Sequence, residues 1–206
     1  MISIIDYRAG NLTSVRRAFD YLGIPSRVTD KPGEILSSER VVFPGVGAAG
    51  AAMQMIRSTG LDEVIQKVIA GGVPFLGICL GAQIILTASE ENDTPCLDIL
   101  PGKVLHFSDR SLKIPHMGWN SITVRRTHPV LAGIDPEAQF YFVHSYYPSC
   151  GRNDDVIAAT GYGISFHSVI GCGNVIAMQF HPEKSGRHGL AILRNFAAWK
   201  GGPESC

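Results

Sequence analysis

Neither sign of charge is in excess in this chain of 206 residues: 18 Lys and Arg stand against 18 Asp and Glu. Electrostatic binding to nucleic acid needs a clustered basic surface, and the one basic pair near a strand end, Arg125-Arg126, reads as solvated surface. Long apolar runs are missing as well. No stretch nears the roughly 18–20 apolar residues of a membrane span. The opening Met1-Ile2-Ser3-Ile4-Ile5 reaches Asp6 after too few apolar residues for a signal sequence, so a cytoplasmic protein is expected. The five cysteines, at 79, 96, 150, 172 and 206, contain no C-x-x-C pair. An odd count speaks against a disulfide framework, and the spacing excludes a paired-cysteine zinc site. Repeats, low-complexity tracts and Pro/Ser linkers are also absent, so residues 1–206 read as one domain.

What remains is a globular composition, 45% hydrophobic and 17% charged, with enough apolar residues for an unaided core. Ile2-Ser3-Ile4-Ile5 is a short apolar run ending on Asp6, the pattern of a buried parallel strand. Helical spacing over 11–22 follows, stopped by Gly23-Ile24-Pro25. Further strands are expected at 26–29, 41–43 and 74–77, and further helices at 48–57, 61–70 and 80–88, the last fully buried. Strands alternating with helices predict an α/β fold with a parallel sheet. The second half changes character. Strands are expected at 104–107, 122–124, 140–144, 156–160, 164–167 and 174–179, and an amphipathic helix at 189–200 closes the chain.

Gly77-Ile78-Cys79-Leu80-Gly81 falls between an expected strand and an expected helix, as a thiol version of G-x-S-x-G. A nucleophile on so tight a turn has a strained backbone, and glycine on either side removes the collisions neighbouring side chains would make. The helix N-terminus favours a thiolate, and the N–H of Leu80 points where an oxyanion would form. An isolated cysteine between two glycines would read as a core residue; the elbow context makes Cys79 a candidate nucleophile.

Far along the chain, His181-Pro182-Glu183 follows the strand expected at 174–179. Carboxyl ends of strands line the crevice of an open α/β sheet, where Cys79 also falls. A cysteine nucleophile needs a base, and the base needs a carboxylate to fix its tautomer, so Cys79, His181 and Glu183 form a candidate triad. His106, His128, His167 and His188 lack a chemical companion and read as structural or exposed; His116 and His144 sit in unusual local sequences.

Gly77-Ile78-Cys79-Leu80-Gly81-Ala82-Gln83 together with Phe180-His181-Pro182-Glu183-Lys184-Ser185 resembles the class I (triad) glutamine amidotransferases. Asp6-Tyr7-Arg8-Ala9-Gly10-Asn11, Pro115-His116-Met117-Gly118-Trp119-Asn120 and Tyr141-Phe142-Val143-His144-Ser145-Tyr146-Tyr147 narrow the resemblance to the glutaminase subunits of imidazole glycerol phosphate synthases. The resemblance implies a flavodoxin-like open sheet, mostly parallel and flanked by helices, with extra antiparallel strands in the second half. It implies that Cys79 attacks the glutamine side-chain amide, with His181 and Glu183 completing the triad. The oxyanion hole would come from Leu80 and the loop Gly45-Val46-Gly47, chiefly the Val46 N–H. Gln83, Ser145, Tyr146 and Gly45 would hold glutamine. No metal or organic cofactor is implied.

Ammonia must stay unprotonated to act as a nucleophile, which argues for a dry passage to a second active site. The resemblance supplies that site as a (βα)8-barrel cyclase subunit, with Tyr141 and Lys184 near the ammonia exit and Asn11, Trp119 and Asn120 toward the docking face. Three departures stand out: Arg8 where relatives often have glycine, Ala82 where many have methionine, and Cys96-Leu97-Asp98 in place of a more usual Gly-Leu-Gly. Two other readings stay open on the sequence. One is a glutaminase subunit feeding an amino-sugar, anthranilate or pyridoxal phosphate synthase; the other is a non-catalytic binding module.

Overall fold

In the computed structural model, residues 1–8, 12–109 and 111–202 are described. β1 (Ile2–Ile5) is buried at every position, as a strand covered on both faces must be. After it come α1 (Leu12–Tyr21), β2 (Ser26–Thr29), α2 (Pro32–Leu36), β3 (Arg40–Gly45), α3 (Ala49–Ser58), α4 (Leu61–Ala70), β4 (Phe75–Cys79) and α5 (Leu80–Ile84). The second half contributes the short β5 (Ala88–Ser89) and β6 (Thr94–Pro95), then β7 (Gly102–His106), β8 (His116–Ser121), β9 (Thr123–Val124), β10 (Gln139–His144) and β11 (Tyr146–Cys150). β12 (Val156–Tyr162), β13 (Ile164–Cys172), β14 (Val175–Met178) and α6 (Gly186–Ala198) complete it.

The main sheet has eight strands in the order β2-β1-β3-β4-β14-β13-β12-β9. Pairing is parallel from β2 through β14 and antiparallel beyond it, as expected of the two halves of the chain. Residues of β1 divide between the two faces. Ile2 and Ile4 join Phe19 of α1 and Phe196 of α6 in one apolar core, while Ile5 joins Met53 of α3 and Ile65 of α4 in the other. Register then positions the chemistry. Gly45 lies opposite Cys79, and Met178 opposite Ile78, so the carboxyl ends of β3, β4 and β14 lie side by side. Two smaller sheets, β10-β8 and β11-β7-β5-β6, build up the wall above this edge.

Three expectations are corrected. The buried helix expected over 80–88 stops at Ile84. The carbonyls of Ile84, Ile85 and Leu86 accept from N–H groups of Leu97, of Ile99 and Leu100, and of Asp98, so the chain after α5 is held by a returning loop and no helix continues. The segment around Trp119, where no strand is expected, is strand β8, paired along its whole length with β10. Its glycine and flanking proline mask a strand whose partner lies well beyond any local stretch of sequence. The strand expected over 122–124 is reduced to Thr123–Val124. Two departures from the family pattern share one backbone feature. Arg8 and Asp98 sit at φ 65° and 53°, where glycine is relaxed and other residues are not. Each has a local compensation: the Arg8 N–H donates to Asp6 Oδ1 at 2.7 Å, and Asp98 Oδ1 accepts from the Thr87 hydroxyl at 2.6 Å. Among the described residues no helix is long and apolar enough to cross a membrane.

Candidate active site

Cys79 ends β4 and begins α5 with φ 54° and ψ −105°, a strained conformation for a residue with a side chain. The flanking glycines are there for space. A Cβ on Gly77 would lie 2.6 Å from the Gly81 carbonyl oxygen, and a Cβ on Gly81 would run into the carbonyl oxygen of Phe43. The elbow is thus wedged between its own helix and β3. Cys79 is buried to 7% exposure and opens into a cavity of about 360 Å³ lined by Val46, Gly47, Leu80, Gln83, Glu91, Val143, His144, Ser145, Tyr146 and His181. A cavity of that size suits a small amino acid.

His181 reaches the same cavity from the end of β14. Its Nδ1 pairs with Glu183 Oε1 at 2.8 Å, and both side chains are almost wholly buried. The opposite ring nitrogen, Nε2, is sealed from solvent and meets no partner in full hydrogen-bond geometry; its contact with Cys79 is looser. Catalytic contacts often tighten only with substrate in place. Burial works against charge on His181, but hydrogen bonding and charge at Cys79 and Glu183 outweigh it and push the imidazole up to about 9. The folded value therefore lies above the unfolded one. The stability that protonated His181 contributes is complete below about 6.5 and lost as pH rises through about 9.

The turn carrying His181 and Glu183 is laced to β10. The His181 N–H donates to the Tyr141 carbonyl at 2.9 Å, Ser185 Oγ donates to the His181 carbonyl at 2.6 Å, and the Tyr141 N–H donates to Ser185 Oγ at 3.0 Å. Tyr141 in turn faces Trp119 across the β10–β8 pair, ring to ring at 6.1 Å, and Lys184 Nζ stands 6.0 Å from the Tyr141 ring. The structure thus brings Trp119, Tyr141 and Lys184 into one patch directly on the back of the His-Pro-Glu turn. Trp119 is 54% exposed and its strand neighbour Met117 60%, an uncommon pair of large apolar side chains left in solvent. Asn120 does not join them: its amide turns inward to His116 Nε2 at 3.3 Å and the Gly161 carbonyl at 3.0 Å. Asn11 lies outside the described residues.

The expected glutamine-holding residues line the cavity, with two refinements. Both hydrogens of Gln83 Nε2 are engaged inside the protein, by the Tyr146 carbonyl at 3.0 Å and Gln179 Oε1 at 2.9 Å, which leaves Oε1 to meet a ligand. The Val46 N–H donates to the Tyr7 hydroxyl at 3.2 Å, and that hydroxyl donates to the Val46 carbonyl at 3.3 Å. Val46 therefore offers no free N–H to the cavity in this state. Two residues escaped the sequence reading. Gln179, fully buried, places Nε2 at 3.6 Å from Cys79 Sγ. Glu91 lines the cavity while its Oε2 accepts the Ala49 N–H at 2.6 Å at the start of α3. Gln179 could have been found from its strand position one residue beyond the apolar run; Glu91 sits in an irregular turn with no sequence signal.

Family comparison agrees with this geometry. The family described as "Glutamine amidotransferase class-I" matches residues 3–199. The chain is 52% identical to the "Imidazole glycerol phosphate synthase subunit HisH" of Nitratidesulfovibrio vulgaris strain Miyazaki F, over 97% of each chain. To the protein of the same name from Chloroflexus aurantiacus it is 47% identical, over 97% of this chain and 96% of that one. Solved structures share the fold at low identity. A glutamine amidotransferase crystal structure superposes with a TM-score of 0.72 at 19% identity, over 96% of this chain and 99% of that one. A chain of PurLQS from Thermotoga maritima gives 0.71 at 17% identity, over 96% and 97%. With a strained cysteine elbow, a buried His–Glu pair and near-complete relatives at about half identity, the chain belongs to the class-I glutamine amidotransferase family, among the HisH subunits of imidazole glycerol phosphate synthase.

Proposed function

We propose that Cys79, His181 and Glu183 hydrolyse L-glutamine, and that the ammonia released passes to a separate (βα)8-barrel cyclase subunit for imidazole glycerol phosphate synthesis in histidine biosynthesis. The observation that carries the reading is the shared cavity: a positive-φ cysteine at a strand–helix elbow with a carboxylate-paired imidazole beside it. Sγ of Cys79 attacks the glutamine Cδ. The tetrahedral oxyanion collapses to a γ-glutamyl thioester as the C–N bond breaks, and His181 gives the leaving group its proton. Water, deprotonated by His181, then attacks the thioester carbon and releases glutamate and the thiol. The Leu80 N–H at the head of α5 is the first oxyanion donor. The Gly45-Val46-Gly47 loop supplies the second, which requires the Val46 peptide to leave Tyr7 or Gly47 to act in its place.

Glutamine is held by Gln83 Oε1, Ser145, Tyr146 and the Gly45 backbone. Glu91 adds what those neutral groups lack, a carboxylate for the substrate α-ammonium. Glu91→Gln keeps an acceptor for the Ala49 N–H and removes the charge. It is expected to raise KM for glutamine about tenfold with kcat little changed, as for one charge-assisted hydrogen bond lost from ground and transition states alike. Steady-state glutamate release measures it.

Glu183→Gln tests the triad. The amide still contacts Nδ1 but cannot stabilise the imidazolium, so kcat is expected to fall by about 10²-fold or more. The same variant lowers the His181 pKa from about 9. Loss of unfolding free energy between pH 7 and 9.5, read by urea denaturation, should then be smaller than in the unsubstituted chain. Unchanged curves and rates would remove Glu183 from the mechanism. Trp119, Tyr141 and Lys184 form the proposed docking and ammonia-exit patch. The decisive experiment for the client is a coupled assay. With the barrel cyclase, glutamine should support imidazole glycerol phosphate formation; failure with glutamine while free ammonia still works would refute the assignment.

A further inference from the structure

His116 and His144 have no part in the hydrolysis described above, yet both are buried, and their ring nitrogens are directed as a series. His144 Nδ1 lies 2.8 Å from the Tyr146 carbonyl, His116 Nδ1 lies 2.9 Å from His144 Nε2, and Asn120 Nδ2 lies 3.3 Å from His116 Nε2. A carbonyl only accepts, so the hydrogen of His144 sits on Nδ1. Its Nε2 then presents a lone pair, which only a hydrogen on His116 Nδ1 can meet. His116 Nε2 is left as the acceptor for Asn120. Burial holds both rings neutral, pushing His116 down to about 4 and His144 to about 3, which keeps each tautomer unique. Aromatic neighbours fix the ring planes: His116 stacks on Tyr162 at 4.1 Å and on Phe142 at 4.9 Å, and Phe107 packs on His144 at 5.4 Å.

The series continues past Tyr146. The same carbonyl accepts from Gln83, Gln83 donates onward to Gln179, and Gln179 reaches Cys79 Sγ. Two apolar side chains would fill the space of the imidazoles without desolvating four ring nitrogens. A series with every nitrogen assigned does something apolar packing does not: it fixes the direction of one carbonyl.

We propose that His116 and His144 are positioning residues, an imidazole pair of fixed tautomer that holds the Tyr146 carbonyl and, through it, orients Gln83 and Gln179 at the floor of the glutamine pocket. This rests on the glutaminase reading of that pocket.

The test uses the complex with the cyclase and two substitutions at one site. His144→Phe fills the space and removes both hydrogen bonds. His144→Asn places Nδ2 near the position of Nδ1 and can still donate to Tyr146. His144→Phe is expected to raise KM for glutamine about tenfold or more, with a smaller change in kcat, and His144→Asn to recover most of that loss. Alkylation of Cys79 by iodoacetamide, which needs no amide pocket, should stay within about twofold in both. Equal losses in the two variants, or a KM unmoved in His144→Phe, would overturn the proposal. Should His144→Phe fail to fold, His116→Leu against His116→Asn makes the same comparison, since the introduced amide would still donate toward His144; equal loss again overturns it. Cys79→Ala separates the two levels. Turnover surviving in that variant sinks the glutaminase reading itself, whereas an inactive Cys79→Ala beside an unaffected His144→Phe sinks only the positioning role.

Discussion

Cys79→Ala is expected to lower glutamine hydrolysis by about 10⁴-fold or more, to background, while ammonia-supported synthesis by the complex persists. The size follows from the absence of a substitute. The cavity lining holds one thiol, and its hydroxyls on Ser145 and Tyr146 come from the β10–β11 junction and not from the strained elbow at the head of α5. Docking should survive because the proposed docking patch of Trp119, Tyr141 and Lys184 lies on the outer side of the His-Pro-Glu turn, and alanine at 79 touches none of the bonds that lace that turn to β10. A second signature distinguishes loss of the nucleophile from general damage. Two of the influences raising His181 come from Cys79, while the burial that lowers it remains. The His181 titration followed by NMR should therefore move down from about 9 in the variant. Glutamate release at an ordinary rate, or a His181 titration left in place, would contradict the assignment of nucleophile and base.

The parallel half of the sheet and the placement of Cys79, His181 and Glu183 at one sheet edge were the parts most legible from sequence. Both depend on local patterns: mostly apolar runs such as Ile2–Ile5 with no solvent-exposed position, and an elbow whose glycines have a steric reason. That Cys79 and His181 meet was a statement about strand ends, and the Met178–Ile78 register makes it a geometric one. What stayed hidden is long-range. β8 pairs with a strand that begins 18 residues after its own end, and nothing within Pro115-His116-Met117-Gly118-Trp119-Asn120 announces that partner. Trp119 was legible as a surface residue, but Asn120, one position on, points the other way because a strand alternates. The engagement of Val46 by Tyr7 joins residues 39 apart and is invisible to any window along the chain. The client among the alternatives open in the sequence is not legible from the elbow or the His–Glu pair, since a glutaminase subunit feeding any of them would use both; the likeness to HisH subunits is what favours the proposed one.

Gly81→Ala is expected to destabilise the fold by about 3 kcal/mol or more, against a helix propensity that pulls the other way by about 1 kcal/mol. Gly81 is in α5, where alanine would ordinarily be an improvement. The added methyl, however, would overlap the Phe43 carbonyl oxygen and lie 3.1 Å from Phe43 Cδ1. The oxygen belongs to the backbone of β3, which pairs with β1 on one side and β4 on the other, so it cannot turn aside as a flexible side chain would. Relief requires α5 to lift off the sheet. That movement opens the Cys79 elbow, whose φ of 54° is sustained only by its surroundings. Stability and activity should therefore fall together, with a melting temperature lower by roughly 6–12 °C for a chain of this length. Gly161→Ala is the matched control. Nothing lies within 4 Å of its added methyl, and its carbonyl would still accept from Asn120. It should stay within about 0.5 kcal/mol of the unsubstituted chain. Differential scanning calorimetry on both variants separates a steric wedge from a general intolerance of substitution. Equal melting temperatures would mean that the close approach of α5 to β3 is not what holds the nucleophile in place.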